Sequence, residues 1–185
     1  MTGTTTSGGT RTLKLRTPLR DAASLRVGDV VYLSGEVYTM RDQAHLRAVR
    51  LIKGGGELPF DLTGAVVYHC GPLVKGGRVI SAGPTTSMRM ERSEPDLIRL
   101  TGLSGIVGKG GMGKSTLEAL AECGAAYMEY PGGVGALAAR SMGKVRDVFW
   151  TDLGDPEAVW VIPVEDFGPC FVTMDSHGGM LKRDF

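Results

Sequence analysis

Apolar and polar residues alternate one by one near the start of the chain, where Leu13 and Leu15 interleave with Lys14 and Arg16. That period of two predicts a half-exposed strand over residues 12–17, ended by Pro18. Residues 30–37 are rich in β-branched and aromatic side chains and predict a second strand. The period then lengthens: Ala44, Ala48, Leu51 and Ile52 form the inner stripe of a helix, opened by a capping-box variant at Thr39 and Asp42. It is stopped after Lys53 by Gly54-Gly55-Gly56. A strand over 65–69 and another over 78–81 flank a hairpin-like turn at Gly76-Gly77. Ser93 with Asp96 caps a short helix that ends at Gly102, and an apolar strand over 103–107 follows. A helix over 117–123 ends at Gly124 and leads to a strand over 125–130. A small-residue helix over 136–142 and strands over 145–150, 158–164 and 170–174 complete the chain. Hairpin signals mixed with strand-helix signals predict one α/β domain with a mixed sheet and flanking helices.

A length of 185 residues suits one domain with a real core. Residues 1–12 read as a flexible polar tail without the layout of a signal peptide, which leaves 13–185 as the domain. No apolar run approaches a membrane span. Lysine plus arginine total 21 against 20 acids, a net charge of +1, which argues against broad electrostatic binding to nucleic acid. A small anion needs only a local positive pocket. Cys70, Cys123 and Cys170 lack metal-ligand spacing and read as reduced thiols of a cytoplasmic protein, with a cluster held by all three as the alternative.

Candidate chemistry concentrates in three stretches. In GPTTSMRME (83–91) the chain turns at Gly83-Pro84, and Thr85 or Thr86 is placed to cap the next helix. Arg89 lies one turn on from Thr85, so hydroxyl, helix-end N–H groups and guanidinium converge as in a carboxylate site. A capped helix with a solvated arginine is the plain alternative. In Arg41-Asp42-Gln43-Ala44-His45 an arginine and a histidine stand one turn apart at a helix start. There Asp42 either orients His45 or forms an exposed ion pair. GKGGMGKS (108–115) satisfies the phosphate-loop pattern, with Lys114 and Ser115 as its functional residues and Asp175 as the candidate acidic partner. Ser115 with Glu118 also makes a capping box, which accounts for the serine without any nucleotide.

These three stretches, in the chain order 41–45, 83–91 and 108–115, resemble the β subunit, or C-terminal domain, of the iron-sulfur hydro-lyases that include class I fumarases and L(+)-tartrate dehydratase. The resemblance spans residues 17–178 and includes GDVVYLSG (28–35), AVWV (158–161) and DFGP (166–169). GPTTSMRME and VGKGGMG lean towards the tartrate dehydratase branch. It implies a swivelling β/β/α domain, an arginine (Arg41) and a lysine (Lys109) on substrate carboxylate, and Thr85 in proton transfer with an acidic group from the partner. Arg89, Thr86 and His45 join them as substrate-binding candidates. It also implies a 4Fe-4S cluster held by three cysteines of an α subunit, not by this chain, with the active site between the two parts. The chain begins with methionine and lacks the cluster-binding half, so it reads as the separate β subunit of a hetero-oligomer; a homodimer is the alternative for the isolated chain. The expected reaction is reversible hydration of a four-carbon dicarboxylate, fumarate/malate or tartrate. A phosphate-loop NTPase and a stand-alone dicarboxylate-binding module are the competing readings.

Overall fold

The structure, a computed structural model, describes the backbone of residues 2–7 and all of residues 10–181. Along the chain the elements are β1 (Thr2–Ser7), β2 (Thr10–Arg16), β3 (Val30–Thr39), α1 (Asp42–Lys53), β4 (Val66–Tyr68), β5 (Leu73–Lys75) and β6 (Arg78–Ser81). They continue with α2 (Glu94–Thr101), β7 (Gly105–Gly108), α3 (Lys114–Cys123), β8 (Ala126–Glu129), α4 (Gly135–Arg140), β9 (Asp147–Phe149) and β10 (Val159–Met174). This is a single α/β domain with a mixed sheet, as the hydrophobic pattern predicts. Eight strands form that sheet in the order β1-β2-β3-β4-β7-β8-β10-β9, and β10 also pairs with β3, so that β3, β4, β7, β8 and β10 close on themselves. β5 and β6 make a separate hairpin around Gly76 and Gly77.

Alternation along the central strands splits the core in two. Val66, Tyr68, Val107, Ala126 and Met128 point to one side, where they meet Phe167 and Ala138 of α4. Val67, Ile106 and Tyr127 point to the other and pack under α1, α2 and α3 through Ala44, Ala48, Leu97, Ile98, Ala119 and Leu120. Both faces of the parallel strands are therefore covered, which is why β4 and β7 read as continuous apolar runs. Among the described residues no helix is long and apolar enough to cross a membrane.

Three local expectations are corrected. Within the expected N-terminal tail, Thr2–Ser7 is a strand antiparallel to β2, since threonine's branched Cβ suits extended backbone; residues 1, 8 and 9 lie outside the described residues. The two strands expected over 158–164 and 170–174 are one strand, β10, whose register against β3 shifts on either side of Phe167. The capping side chains expected at Thr39, Thr85 or Thr86, Ser93 and Ser115 make no cap hydrogen bonds. Distant carboxylates serve instead. Glu157 accepts from Gln43 N at 2.9 Å at the start of α1, and Glu91 accepts from Gly113 N at 2.7 Å at the start of α3.

Candidate functional site

β3, β4, β7 and β8 are neighbours and mutually parallel, so their carboxyl ends share one edge of the sheet. In α/β folds, closed or open, ligands bind at the carboxyl ends of parallel strands. Arg41 follows β3 by two residues, His69 follows β4 directly, and Lys109 follows β7 directly. The Thr85 segment is laid across this edge by main-chain bonds. Thr85 N donates to His69 O at 2.8 Å, Ser87 N donates to Lys109 O at 2.9 Å, and Thr86 bridges Lys109 in parallel. The tight turn Ser87–Met90 then carries Arg89 out to solvent.

Each candidate cation has its own setting. Arg89 is half exposed and donates from Nη2 to Asp42 at 2.6 Å, which joins the Thr85 segment to the start of α1. Asp42 thus holds Arg89, not His45 as the i, i+3 spacing suggested. Arg41 is one-fifth exposed, with Nε 3.4 Å from Glu157. Its guanidinium lies against the main chain at Gly71, where any Cβ would sit 2.9 Å from Nη1. The Lys109 side chain runs over Gly132, in the loop after β8. The topology brings Arg41, Thr85, Thr86, Arg89 and Lys109 to one edge.

His45 is brought to the same region but turned inward. Its ring is fully buried; Nδ1 donates to Arg41 O and Nε2 to Glu94 Oε2, both at 2.9 Å. His69 Nε2 lies 2.8 Å from the same carboxylate oxygen, and His69 Nδ1 is 2.9 Å from Ser87 Oγ. Ser87 Oγ also accepts from Lys109 N at 3.1 Å and from Tyr127 Oη at 2.9 Å. Ser87, His69 and Glu94 were not singled out by pattern, since each is an isolated polar residue in an apolar context. Only the polar breaks themselves, a histidine closing the buried β4 strand and a glutamate opening α2, mark them in the sequence.

Burial pulls the His45 ring's pKa down, but Glu94 and the Arg41 carbonyl outweigh it and the net direction is up. For His69 burial wins over Glu94 and the net direction is down. Burial pushes the Glu94 carboxyl up, yet the two imidazoles hold it well below the usual carboxylate range. The trio is thus an anionic carboxylate between one ring that favours its charged form and one that favours its neutral form.

His45, His69 and Glu94 are also the group whose metal-ligating atoms converge among the described residues. Their 2.8–2.9 Å contacts are hydrogen-bonding separations, shorter than the about 3.3 Å between tetrahedral ligands at zinc bond lengths. The cysteines join no such group: Cys70 and Cys170 are buried, with burial pushing the Cys70 thiol up to about 12, and Cys123 is exposed. Among the described residues the donor set does not fit an iron-sulfur cluster.

The phosphate-loop expectation fails on the geometry of α3. Glu91 occupies the helix start, accepting from Gly113 N, from Thr116 N at 3.3 Å and from Thr116 Oγ at 2.7 Å. A phosphate there would meet a carboxylate. Lys114 points outward, 88% exposed and paired with Glu118. Asp175 organises a turn, accepting from Val27 N, His177 N and Gly179 N.

Comparison with known proteins places the chain in a family. Residues 3–184 match the family described as "Fumarase C-terminus". A Methanocaldococcus jannaschii protein named "Putative L(+)-tartrate dehydratase subunit beta" is 47% identical over 170 residues, 89% of this chain and 87% of that protein. The Escherichia coli K12 "L(+)-tartrate dehydratase subunit beta" is 43% identical over 173 residues, 90% and 85% of the two chains. A Geobacillus stearothermophilus "Putative fumarate hydratase class I" is 39% identical over 181 residues, 94% of this chain but 34% of that longer protein. With nearly every described residue inside the match, the chain belongs to the Fumarase C-terminus family.

Proposed function

We propose that this chain is the β subunit of a hydro-lyase that reversibly hydrates a four-carbon dicarboxylate, fumarate/malate or tartrate, and that it supplies the groups that clamp the carboxylates. The observation that carries the reading is the gathering of Arg41, Arg89 and Lys109, with Thr85 and Thr86, at the carboxyl ends of adjacent parallel strands. Relatives named as tartrate dehydratase β subunits and as a fumarate hydratase support the reaction class.

Dehydration removes a proton from the carbon beside a carboxylate while the neighbouring hydroxyl departs. Negative charge builds on that carboxylate, and fixed cations lower the cost. Arg41 and Lys109, each just past a strand end, share one carboxylate. Arg89, oriented on one side by Asp42, keeps its remaining N–H groups for the other. Thr85 stands at the turn between them, and an acidic group from the partner completes its proton transfer. A 4Fe-4S cluster belongs to an α subunit in this reading, since the donor set here does not fit one. His45 acts behind the site rather than on substrate.

The test is anaerobic assay of the co-expressed α and β chains on fumarate, malate and the tartrate isomers. Turnover of one of these, lost on Arg89→Ala and kept on Lys114→Ala, supports the reading. Dicarboxylate binding by this chain without turnover in any pairing would favour a binding module, and turnover insensitive to Arg89→Ala would overturn the clamp.

A further inference from the structure

A single buried hydroxyl joins three of the segments that build this edge. Ser87 is fully buried and clasps Lys109 twice, its N donating to Lys109 O and its Oγ accepting from Lys109 N. Tyr127 Oη fills the second acceptor position of Oγ. The Ser87 proton is then directed to His69 Nδ1, and the other ring nitrogen, Nε2, lies in close contact with Glu94 Oε2 at 2.8 Å without an aligned hydrogen bond. Glu94 in turn accepts from His45, whose other nitrogen donates to the carbonyl of Arg41. The fit is close enough that a Cβ at residue 108 would come within 1.9 Å of Ser87 Oγ, so only glycine admits the hydroxyl there.

Resting on the hydro-lyase reading, we propose that Ser87 is the positioning residue of the dicarboxylate site, fixing Lys109 against the Thr85–Arg89 turn and tying both, through His69, Glu94 and His45, to Arg41. None of these buried groups touches substrate. Their effect is on spacing: Lys109 and Arg41 follow separate strand ends and Arg89 sits on the Ser87–Met90 turn, and a line of buried polar contacts runs between the Lys109 and Arg41 main chains. Losing the Oγ removes the partner that the Lys109 N–H and the His69 Nδ1 share, and the Lys109 loop is freer to shift. A displacement of about 1 Å in a positioning group costs up to about 100-fold in rate.

The experiment compares Ser87→Ala with Leu120→Ala, a core truncation on α3 with no bond to the edge, in the co-purified complex and in the chain alone. In the complex, Ser87→Ala is expected to lower kcat/KM by about 10-fold or more through a raised KM, with Leu120→Ala lowering Tm but leaving kcat/KM near wild type. In the chain alone, amide hydrogen exchange is expected to show loss of protection at Lys109 in Ser87→Ala while β8 and α3 amides stay protected. Ser87→Cys, which keeps a weak donor, is expected to fall between, and carries the same readouts if Ser87→Ala does not fold. Wild-type protection at Lys109 in Ser87→Ala, or a kcat/KM that tracks Tm alike in both variants, would overturn the proposal. A wild-type complex that turns over no dicarboxylate would instead defeat the hydro-lyase reading, and the exchange experiment would still decide whether Ser87 holds Lys109 in place.

Discussion

Asp42 and Arg89, 47 residues apart in sequence, are joined by a 2.6 Å hydrogen bond that links the start of α1 to the turn following Thr85. An ion pair with one partner half exposed is worth under about 1 kcal/mol to the fold. Its value lies in direction: Nη2 is committed to Asp42, and the half-exposed guanidinium keeps its other N–H groups for the proposed clamp. Asp42→Ala is therefore expected to leave Tm nearly unchanged while lowering kcat/KM for the dicarboxylate several-fold, about 10-fold as an order of magnitude. Steady-state kinetics with a melting curve on the same sample checks this. A wild-type kcat/KM would remove Arg89 from the clamp.

The start of α3 separates the two readings of GKGGMGKS. Lys114 has an i, i+4 partner and full solvent access, so Lys114→Ala is expected to change stability by within about 0.5 kcal/mol and activity not at all. Glu91→Gln strips the charge from a carboxylate that meets two backbone N–H groups and the Thr116 hydroxyl. Charge-assisted hydrogen bonds of this kind make a loss of about 2 kcal/mol the expected result, read from urea denaturation. ATP binding that depends on Lys114 would contradict both expectations.

Much of this was legible in the sequence, for physical reasons that differ by residue. Local signals, the Ala44–Ala48 stripe and the glycine run after Lys53, located α1 and its end at Lys53, but its N-cap is Arg41 and not Thr39. Gly102 and Gly124 end α2 and α3 in the left-handed region, again locally. The caps were not legible, because Glu157 and Glu91 reach their helices from 114 and 22 residues away in sequence. The cations of the edge were found through motif resemblance, since spacing alone left Arg41 and Arg89 equally consistent with solvated ion pairs. Ser87, His69 and Glu94 gain meaning only when β4, β7 and α2 are brought together, so no window of sequence contains their partnership.

Gly108 tests the tightest contact of the edge. Any side chain there drives a carbon into Ser87 Oγ, with the Tyr127 hydroxyl 3.0 Å away. Neither neighbour can retreat, since Ser87 and Tyr127 are both fully buried. Gly108→Ala is expected to cost about 3 kcal/mol, at the upper end for overpacking, and to abolish turnover in whatever complex still forms. Calorimetric melting of the isolated chain measures the first effect and assay of the complex the second. A stable, active variant would mean that the Ser87 clasp yields easily.

The His45–Glu94–His69 trio predicts how the fold responds to pH. Glu94 is held below its ordinary 4.5, so its contribution is complete above about that pH and drains away as pH falls further. His45 is held above its ordinary 6.5, so its contribution is complete below 6.5 and is lost as pH rises through the folded value. His69 works in the opposite sense: held below 6.5, it favours the unfolded chain as pH falls past that point. Acid destabilisation below pH 4.5 is therefore expected to be steeper in the wild type than in Glu94→Gln, which is expected to be less stable by about 3 kcal/mol near neutrality because it leaves His45 without its counter-charge. Two-dimensional nitrogen-proton spectra of the rings give the sharper check. His45 is expected to titrate above 6.5 and His69 below it, and in Glu94→Gln the His45 titration is expected to fall, since burial then acts on that ring against weaker opposition. Two rings titrating together at 6.5 would mean that the carboxylate does not distinguish them, and the line of contacts from Arg41 to Lys109 would lose its central link.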